Sequence, residues 1–208
     1  MRLAVVTCIA GSLVVCLAAP AEAVRLPRSA LRVPLIPQST NWSCGPASLL
    51  SVLLHWRAYD GTERSLHRAL GTNARTGTRP EKMVEVARSF GLEAHLRDRL
   101  SFRALRQALA RGETLILNLQ AWPETPRTER WQNTWNAGHY AVLVAMDKTH
   151  AYFMDPWVRG AYGTMTLRAL SARWHDQHPR GPGRRLVRGA IAIRGDAAAE
   201  RRRLIPIE

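Results

Sequence analysis

The stretch QSTNWSCGPASLLSVLLHW, residues 38–56, joins a polar lead-in to a segment that is apolar nearly all round. A helix with apolar residues on every side is buried in the centre of its domain, so residues 47–56 are predicted to form the central helix. Cys44 stands at the start of this helix. Pro46 is tolerated in the first turn, because its missing N–H would be unpaired there in any case.

The hydrophobic period changes after this helical region. Short helices are predicted between Gly61 and Gly71, from the capping-box sequence at residues 78–81 to Gly91, and over residues 101–111. Strands are predicted over residues 114–119, 139–146, 151–154 and 186–193. Helices followed by antiparallel strands predict an α+β domain.

The N-terminal residues 1–23 have the features of a secretory signal peptide. Arg2 supplies the positive charge, residues 3–19 are mostly apolar, and Ala21-Glu22-Ala23 fits a small-residue cleavage site. The alternative is a transmembrane anchor, but Pro20 ends the apolar run early. We therefore expect an exported protein, either periplasmic or secreted.

The rest of the chain divides into residues 24–195, expected to form one domain, and a charged tail at 196–208. The formal net charge is +14 at pH 7, and the excess is almost all arginine. This imbalance also fits compositional drift from coding. A basic surface favours contact with anionic membrane or cell-wall surfaces. Nucleic acid is disfavoured as a partner, because no basic helix or recognised motif accompanies the charge.

Cys44 is the one cysteine that remains once the signal peptide is removed, since Cys8 and Cys16 lie within it. A lone cysteine cannot form an internal disulfide, and a free thiol is a hazard in an oxidising compartment unless it has a task. The N-terminus of a helix stabilises a thiolate. The alternative is a buried structural cysteine.

Three further residues complete a candidate site with Cys44. His139 begins an apolar strand, and Asp155 follows sixteen residues later. A strand, turn and second strand would return Asp155 to the imidazole and fix its tautomer, although an Asp-Pro turn is the simpler interpretation. The amide of Gln38 and the backbone N–H of Cys44 are suited to stabilise an oxyanion. The alternative for Gln38 is a solvated loop side chain.

The pattern Q-x5-C-G-P, then G-H-Y, then D-P resembles the C39 peptidase family, a branch of the papain-like cysteine proteases, over roughly residues 33–157. The resemblance implies a papain-like α+β fold with the nucleophile at the start of the central helix. It also implies thiol-dependent hydrolysis of peptide bonds. The family's glutamine, cysteine, histidine and aspartate fall on Gln38, Cys44, His139 and Asp155.

The best-known C39 members are domains of ABC exporters that cut leader peptides after a Gly-Gly pair. This chain has no ATPase motif and carries an export signal, so a standalone exported member is the closer description and double-glycine specificity does not follow. A papain-like acyl transferase, a cell-wall amidase and a non-catalytic peptide-binding module remain open. A peptide or protein substrate is expected in each case.

Two other segments are candidates for a functional role. Residues 122–137 contain three tryptophans and are too long for a tight hairpin, which is typical of a lid or binding loop. The sequence Arg173-Trp174-His175-Asp176 with His178 lacks the spacing of a ligand set. We therefore expect neither a metal nor any other cofactor.

Overall fold

The structure is a computed structural model that describes residues 24–123, 130–177 and 185–196. The predicted signal peptide at 1–23, and the predicted tail apart from residue 196, lie outside the described residues. Among the described residues, no helix combines the length and the apolar character needed to cross a membrane.

The described residues form five α-helices and eight strands. The helices are α1 (Cys44–His55), α2 (Glu63–Leu70), α3 (Pro80–Ser89), α4 (Phe102–Ala110) and α5 (Leu167–Arg173). The strands are β1 (Glu93–Arg97), β2 (Thr114–Gln120), β3 (Gly138–Met146), β4 (His150–Met154), β5 (Gly163–Thr166), β6 (His175–Gln177), β7 (Arg185–Val187) and β8 (Ala190–Arg194).

Six of these strands form one sheet in the order β1-β8-β2-β3-β4-β5, and every neighbouring pair is antiparallel. Strands β6 and β7 form a separate antiparallel pair. The predicted α+β class with an antiparallel sheet after the central helix is confirmed.

The large sheet is covered on both faces, so β2 is buried along its whole length. Alternate residues of a strand point to opposite faces. Ile116 belongs to the apolar cluster shared with α1, α2 and α3, whereas Leu115 and Leu117 belong to the cluster shared with α4 and α5. The domain therefore has three layers, with the sheet in the middle.

Helix α1 is the buried central helix that the sequence predicts. Gly45 to Leu53 are all buried, and Ser48 Oγ donates to the Tyr140 carbonyl oxygen of β3 at 3.1 Å. A Cβ on Gly45 would lie 2.3 Å from Thr78 Oγ1, so glycine allows the start of the helix to approach the Thr78 side chain closely. The first turn of α1 is thus fixed against both the sheet and the segment before α3.

Several boundaries differ from the sequence predictions. The N-cap of α3 is Arg79 and not Thr78, and the Arg79 side chain makes no capping hydrogen bond. Thr78 Oγ1 forms a hydrogen bond with Thr72 Oγ1 at 2.8 Å instead. The strand predicted at residues 186–193 is two strands, since Arg188 adopts φ 56° between β7 and β8. The sequence did not predict β1, β5, β6 or α5, which are all short.

Candidate active site

Cys44 is the first residue of α1 and is half-buried, with a free thiol. The preceding Ser43 has non-helical φ/ψ angles of −102° and 24° and makes no side-chain cap to the helix. The first N–H groups of a helix have no partner within it. The sulfur of Cys44 therefore lies at the positive end of the helix dipole, as the sequence predicts.

His139 and Asp155 meet across the β3–β4 hairpin. His139 Nε2 and Asp155 Oδ1 are 2.7 Å apart, and the two residues are 4% and 9% exposed. The register pairs Val142 with Met154, so Asp155 lies diagonally across from His139, within reach of its ring. The structure thus brings together the two residues that the sequence predicted to meet.

The Cys44 side chain is the other group that raises the pKa of the imidazole, through a hydrogen-bonding and a charge effect. Because Nε2 bonds Asp155, the nitrogen on the cysteine side is Nδ1. Burial by itself disfavours a charged ring, but the effects of Asp155 and Cys44 outweigh it and raise the pKa of His139 to about 10. The ring is therefore positively charged at neutral pH.

Asp155 is the charged partner that stabilises this ring. Burial tends to raise the pKa of its carboxyl, but the hydrogen bond and charge of His139 outweigh burial and lower it, with help from Trp122 and the Trp157 backbone N–H. The Trp157 N–H donates to Oδ1 at 2.9 Å. The carboxylate is thus anionic and held from several sides, which is more than a turn residue requires.

Sequence reasoning missed the contact of Trp122 with this pair. Its indole Nε1 donates to Asp155 Oδ2 at 3.0 Å, and its ring stacks on Trp157 with centroids 6.1 Å apart. Trp122 adopts φ 51°, which is uncommon for a bulky residue. The sequence predicted a lid or binding loop at residues 122–137, but nothing local in the sequence links residue 122 to residue 155.

Gln38 is 8% exposed, so the solvated-loop interpretation is wrong. Its Nε2 donates to the Thr40 carbonyl oxygen at 2.7 Å, and its backbone N–H donates to the Pro156 carbonyl oxygen at 3.0 Å. Its Oε1 is buried and has no hydrogen-bond partner. The bond to Thr40 fixes the orientation of the amide and occupies one of its two N–H groups.

Gln38, Cys44 and His139 line a single cleft of about 660 Å³, which is within the usual range of ligand-binding sites. Its other walls include four tryptophans and the loop before α3; these residues are Trp42, Trp122, Trp135, Trp157 and residues 74–78. In the described part of the chain, no group of three or more histidine, cysteine or acidic residues is arranged to hold a metal ion.

The domain is of the α+β class, with a cleft at the start of its central helix. The model of the Peptidase_C39 like family matches residues 30–181. The chain therefore belongs to this family, and the resemblance identified from the sequence is confirmed. No sequence among the curated proteins matches the chain.

Three solved structures share the fold. The double glycine motif protease from an AMS/PCAT transporter, in complex with its leader peptide, is 20% identical (TM-score 0.55, 80% of this chain and 94% of that one). The peptidase domain of Streptococcus ComA is 20% identical (TM-score 0.57, 78% and 98%). A C39-like peptidase from Bacillus anthracis is 15% identical (TM-score 0.57, 79% and 95%). The predicted papain-like fold is thereby confirmed.

Proposed function

We propose that this protein is an exported cysteine peptidase that hydrolyses peptide bonds through Cys44, His139 and Asp155. The observation that carries the proposal is the linked set of side chains in one cleft. The His139 ring bonds Asp155 at 2.7 Å through Nε2, and the Cys44 side chain, which lines the same cleft, raises the pKa of the ring. A nucleophile, a base and a residue that orients the base are the parts of an activated thiol.

The proposed reaction begins with the Cys44 thiolate. It attacks the carbonyl carbon of the scissile peptide bond, a C–S bond forms, and the carbonyl oxygen becomes negative. The His139 ring donates its Nδ1 proton to the leaving amine as the C–N bond breaks, which leaves a thioester. Water then attacks the thioester, His139 accepts a proton from that water, and the acid product leaves.

The charge on His139 supports this sequence of steps. The leaving amine must receive a proton, and a ring whose pKa is raised to about 10 carries that proton at neutral pH. A positively charged imidazole and the N-terminus of a helix are the usual surroundings of a reactive thiol. Asp155 keeps the ring charged and oriented while the Cys44 side of the ring faces the substrate.

Gln38 is proposed as the second oxyanion donor, with the Cys44 backbone N–H as the first. Preorganised donors aimed at a developing negative oxygen lower the barrier, because they need no reorganisation in the transition state. Gln38 fits this role because its amide is buried at the cleft and anchored by Thr40. The second N–H of that amide is the group assigned to the oxyanion.

Peptides are the proposed substrates, but cleavage after a double glycine is not part of the proposal. One structural neighbour is a double glycine motif protease bound to a leader peptide, and at 20% identity the likeness extends to the fold alone. Export to the periplasm or medium is proposed from residues 1–23, and contact with anionic membrane or cell-wall surfaces from the net charge of +14.

Digestion of a peptide library by the purified protein, read by mass spectrometry, tests the proposed function. Peptide products with free carboxyl ends are expected for a hydrolase. The same digestion with an added amine separates hydrolysis from acyl transfer, because a transferase would place the amine on the new carboxyl end. A protein that binds library peptides without altering them would instead be a binding module.

A further inference from the structure

A second acid, which is half-buried, faces the same cleft. Asp176 of β6 lines it together with Cys44 and His139. Gln120 Nε2 donates to Asp176 Oδ1 at 3.0 Å, and the backbone N–H of Gln177 donates to the same oxygen at 2.8 Å. The proposed reaction uses none of these groups, so a carboxylate is held beside the reacting residues without a role in their chemistry.

Glycine at position 138 leaves this carboxylate accessible. Gly138 directly precedes His139 and is exposed. A Cβ built on Gly138 would lie 2.8 Å from both carboxylate oxygens of Asp176. Any larger residue would therefore displace or cover the carboxylate, whereas glycine leaves both oxygens beside the open backbone of β3.

Within the parts of the chain that the structure describes, no ion pair includes the Asp176 carboxylate. Arg185 of the adjacent β7 places its guanidinium over the Trp135 ring, 4.4 Å from the centroid. Burial raises the pKa of Asp176 to about 7, although the charge of His139 acts in the opposite direction. An incoming cation would favour the ionised carboxylate.

We propose that Asp176 forms a subsite for a cationic nitrogen group of the substrate, either a basic side chain or the α-ammonium group of a peptide. The inference rests on the proposed peptidase function. Charged N–H donors form short, strong hydrogen bonds with a carboxylate, and a guanidinium can form two in parallel.

Binding to the Cys44→Ala protein tests this subsite without turnover. The probes are pairs of short neutral peptides, acetylated and amidated, with arginine or citrulline at each position in turn. Citrulline has nearly the same shape as arginine and no charge. A second series leaves the N-terminus free. At one position, or at the free N-terminus, the charged peptide should bind about tenfold more tightly than its neutral partner, as expected for a hydrogen bond to a charged group.

The preference for the charged peptide should disappear when Asp176→Asn is added to Cys44→Ala. It should persist when Asp60→Asn is added instead, which is a matched change at an exposed site. Gly138→Ala offers a second route, because its methyl group would lie against the carboxylate and should weaken binding of the charged peptides alone. Equal binding of charged and neutral peptides in every series would overturn the inference, as would a preference that survives Asp176→Asn. A protein that shows the Asp176-dependent preference but never cleaves would contradict the peptidase proposal and leave the subsite standing.

Discussion

Gln38 is fixed by two hydrogen bonds. Its backbone N–H donates to the Pro156 carbonyl oxygen, and its side-chain amide donates to the Thr40 carbonyl oxygen. Removing one oxyanion donor typically costs on the order of a hundredfold to a thousandfold in kcat. Gln38→Ala should therefore lower kcat by about a hundredfold with little change in substrate binding, measured by steady-state peptide hydrolysis. The matched control is Gln177→Ala, an exposed amide on the same cleft.

Alkylation of Cys44 separates catalysis from folding in this variant. That reaction forms no oxyanion, so Gln38→Ala should alkylate at the rate of the unmodified protein. An equal loss of alkylation and hydrolysis would mean that Gln38 supports the local fold, and the oxyanion role would have to be abandoned.

Asp155 controls the charge of His139 as well as its orientation. Its hydrogen bond is the largest of the effects that raise the pKa of His139 to about 10. The peptidase account needs the charged ring, so kcat/KM should fall as the pH rises through about 10. In Asp155→Ala this alkaline limb should move to lower pH, and turnover should fall less completely than on loss of Cys44.

A pH–rate profile of both proteins checks this prediction, with circular dichroism at each pH to show that the fold persists. An alkaline limb that stays in place in Asp155→Ala would show that the carboxylate does not set the charge of the ring. The role of Asp155 would then be confined to structure.

Among the elements, α1 links the core to the nucleophile. Leu53 is fully buried and belongs to the cluster that packs α1 on the sheet. Leu53→Ala should lower the free energy of unfolding by about 2–5 kcal/mol, because it removes buried methylenes and leaves a cavity. Leu54→Ala, at the half-buried neighbouring position, should cost less. Urea denaturation measures both, and equal losses would contradict the packing described for α1.

The sequence predicted the elements whose patterns are strong by themselves. The apolar α1 and the buried strands β2 and β3 carry long hydrophobic runs, so their identity needs no information from the rest of the fold. The strands β1 and β5 have 5 and 4 residues, too few to show a clear hydrophobic period, and the partner of β1 is the distant strand β8. Their pairing could not be derived locally.

The same distinction applies to the candidate site. A hairpin made the meeting of His139 and Asp155 predictable from local geometry, whereas Cys44 was joined to them through the motif pattern and its place at the start of the apolar helix. The bond from Trp122 to Asp155 joins residues 33 positions apart. The exposure of Asp176 depends on Gly138, which lies on another strand. Contacts of this kind follow from the packing of separate elements and leave no spacing pattern in the sequence.

At the scale of the whole molecule, the site spans two layers of the domain. Cys44 comes from the helical layer, and His139 and Asp155 come from the sheet. The bond from Ser48 to the Tyr140 carbonyl joins these layers one turn into α1. The proposed catalysis would therefore depend on the packing of the layers, because partial unfolding of either one would separate Cys44 from His139.

The proposed export also concerns the molecule as a whole. If residues 1–23 are a cleaved signal, the mature protein recovered from the periplasm or medium should begin at Val24. N-terminal sequencing of the protein produced in a bacterium checks this. A protein that keeps residues 1–23 and remains inside the cell would contradict the export proposal without affecting the chemistry of the cleft.

The central claim is that Cys44 carries peptide hydrolysis, and the direct measurement compares the unmodified protein with Cys44→Ala. Both are incubated with the same peptide library, and the products are identified by mass spectrometry, with thermal unfolding as the control for folding. The account predicts cleavage of at least one peptide by the unmodified protein and none by Cys44→Ala. A folded Cys44→Ala protein that cleaves the same peptides at the same rate would contradict it.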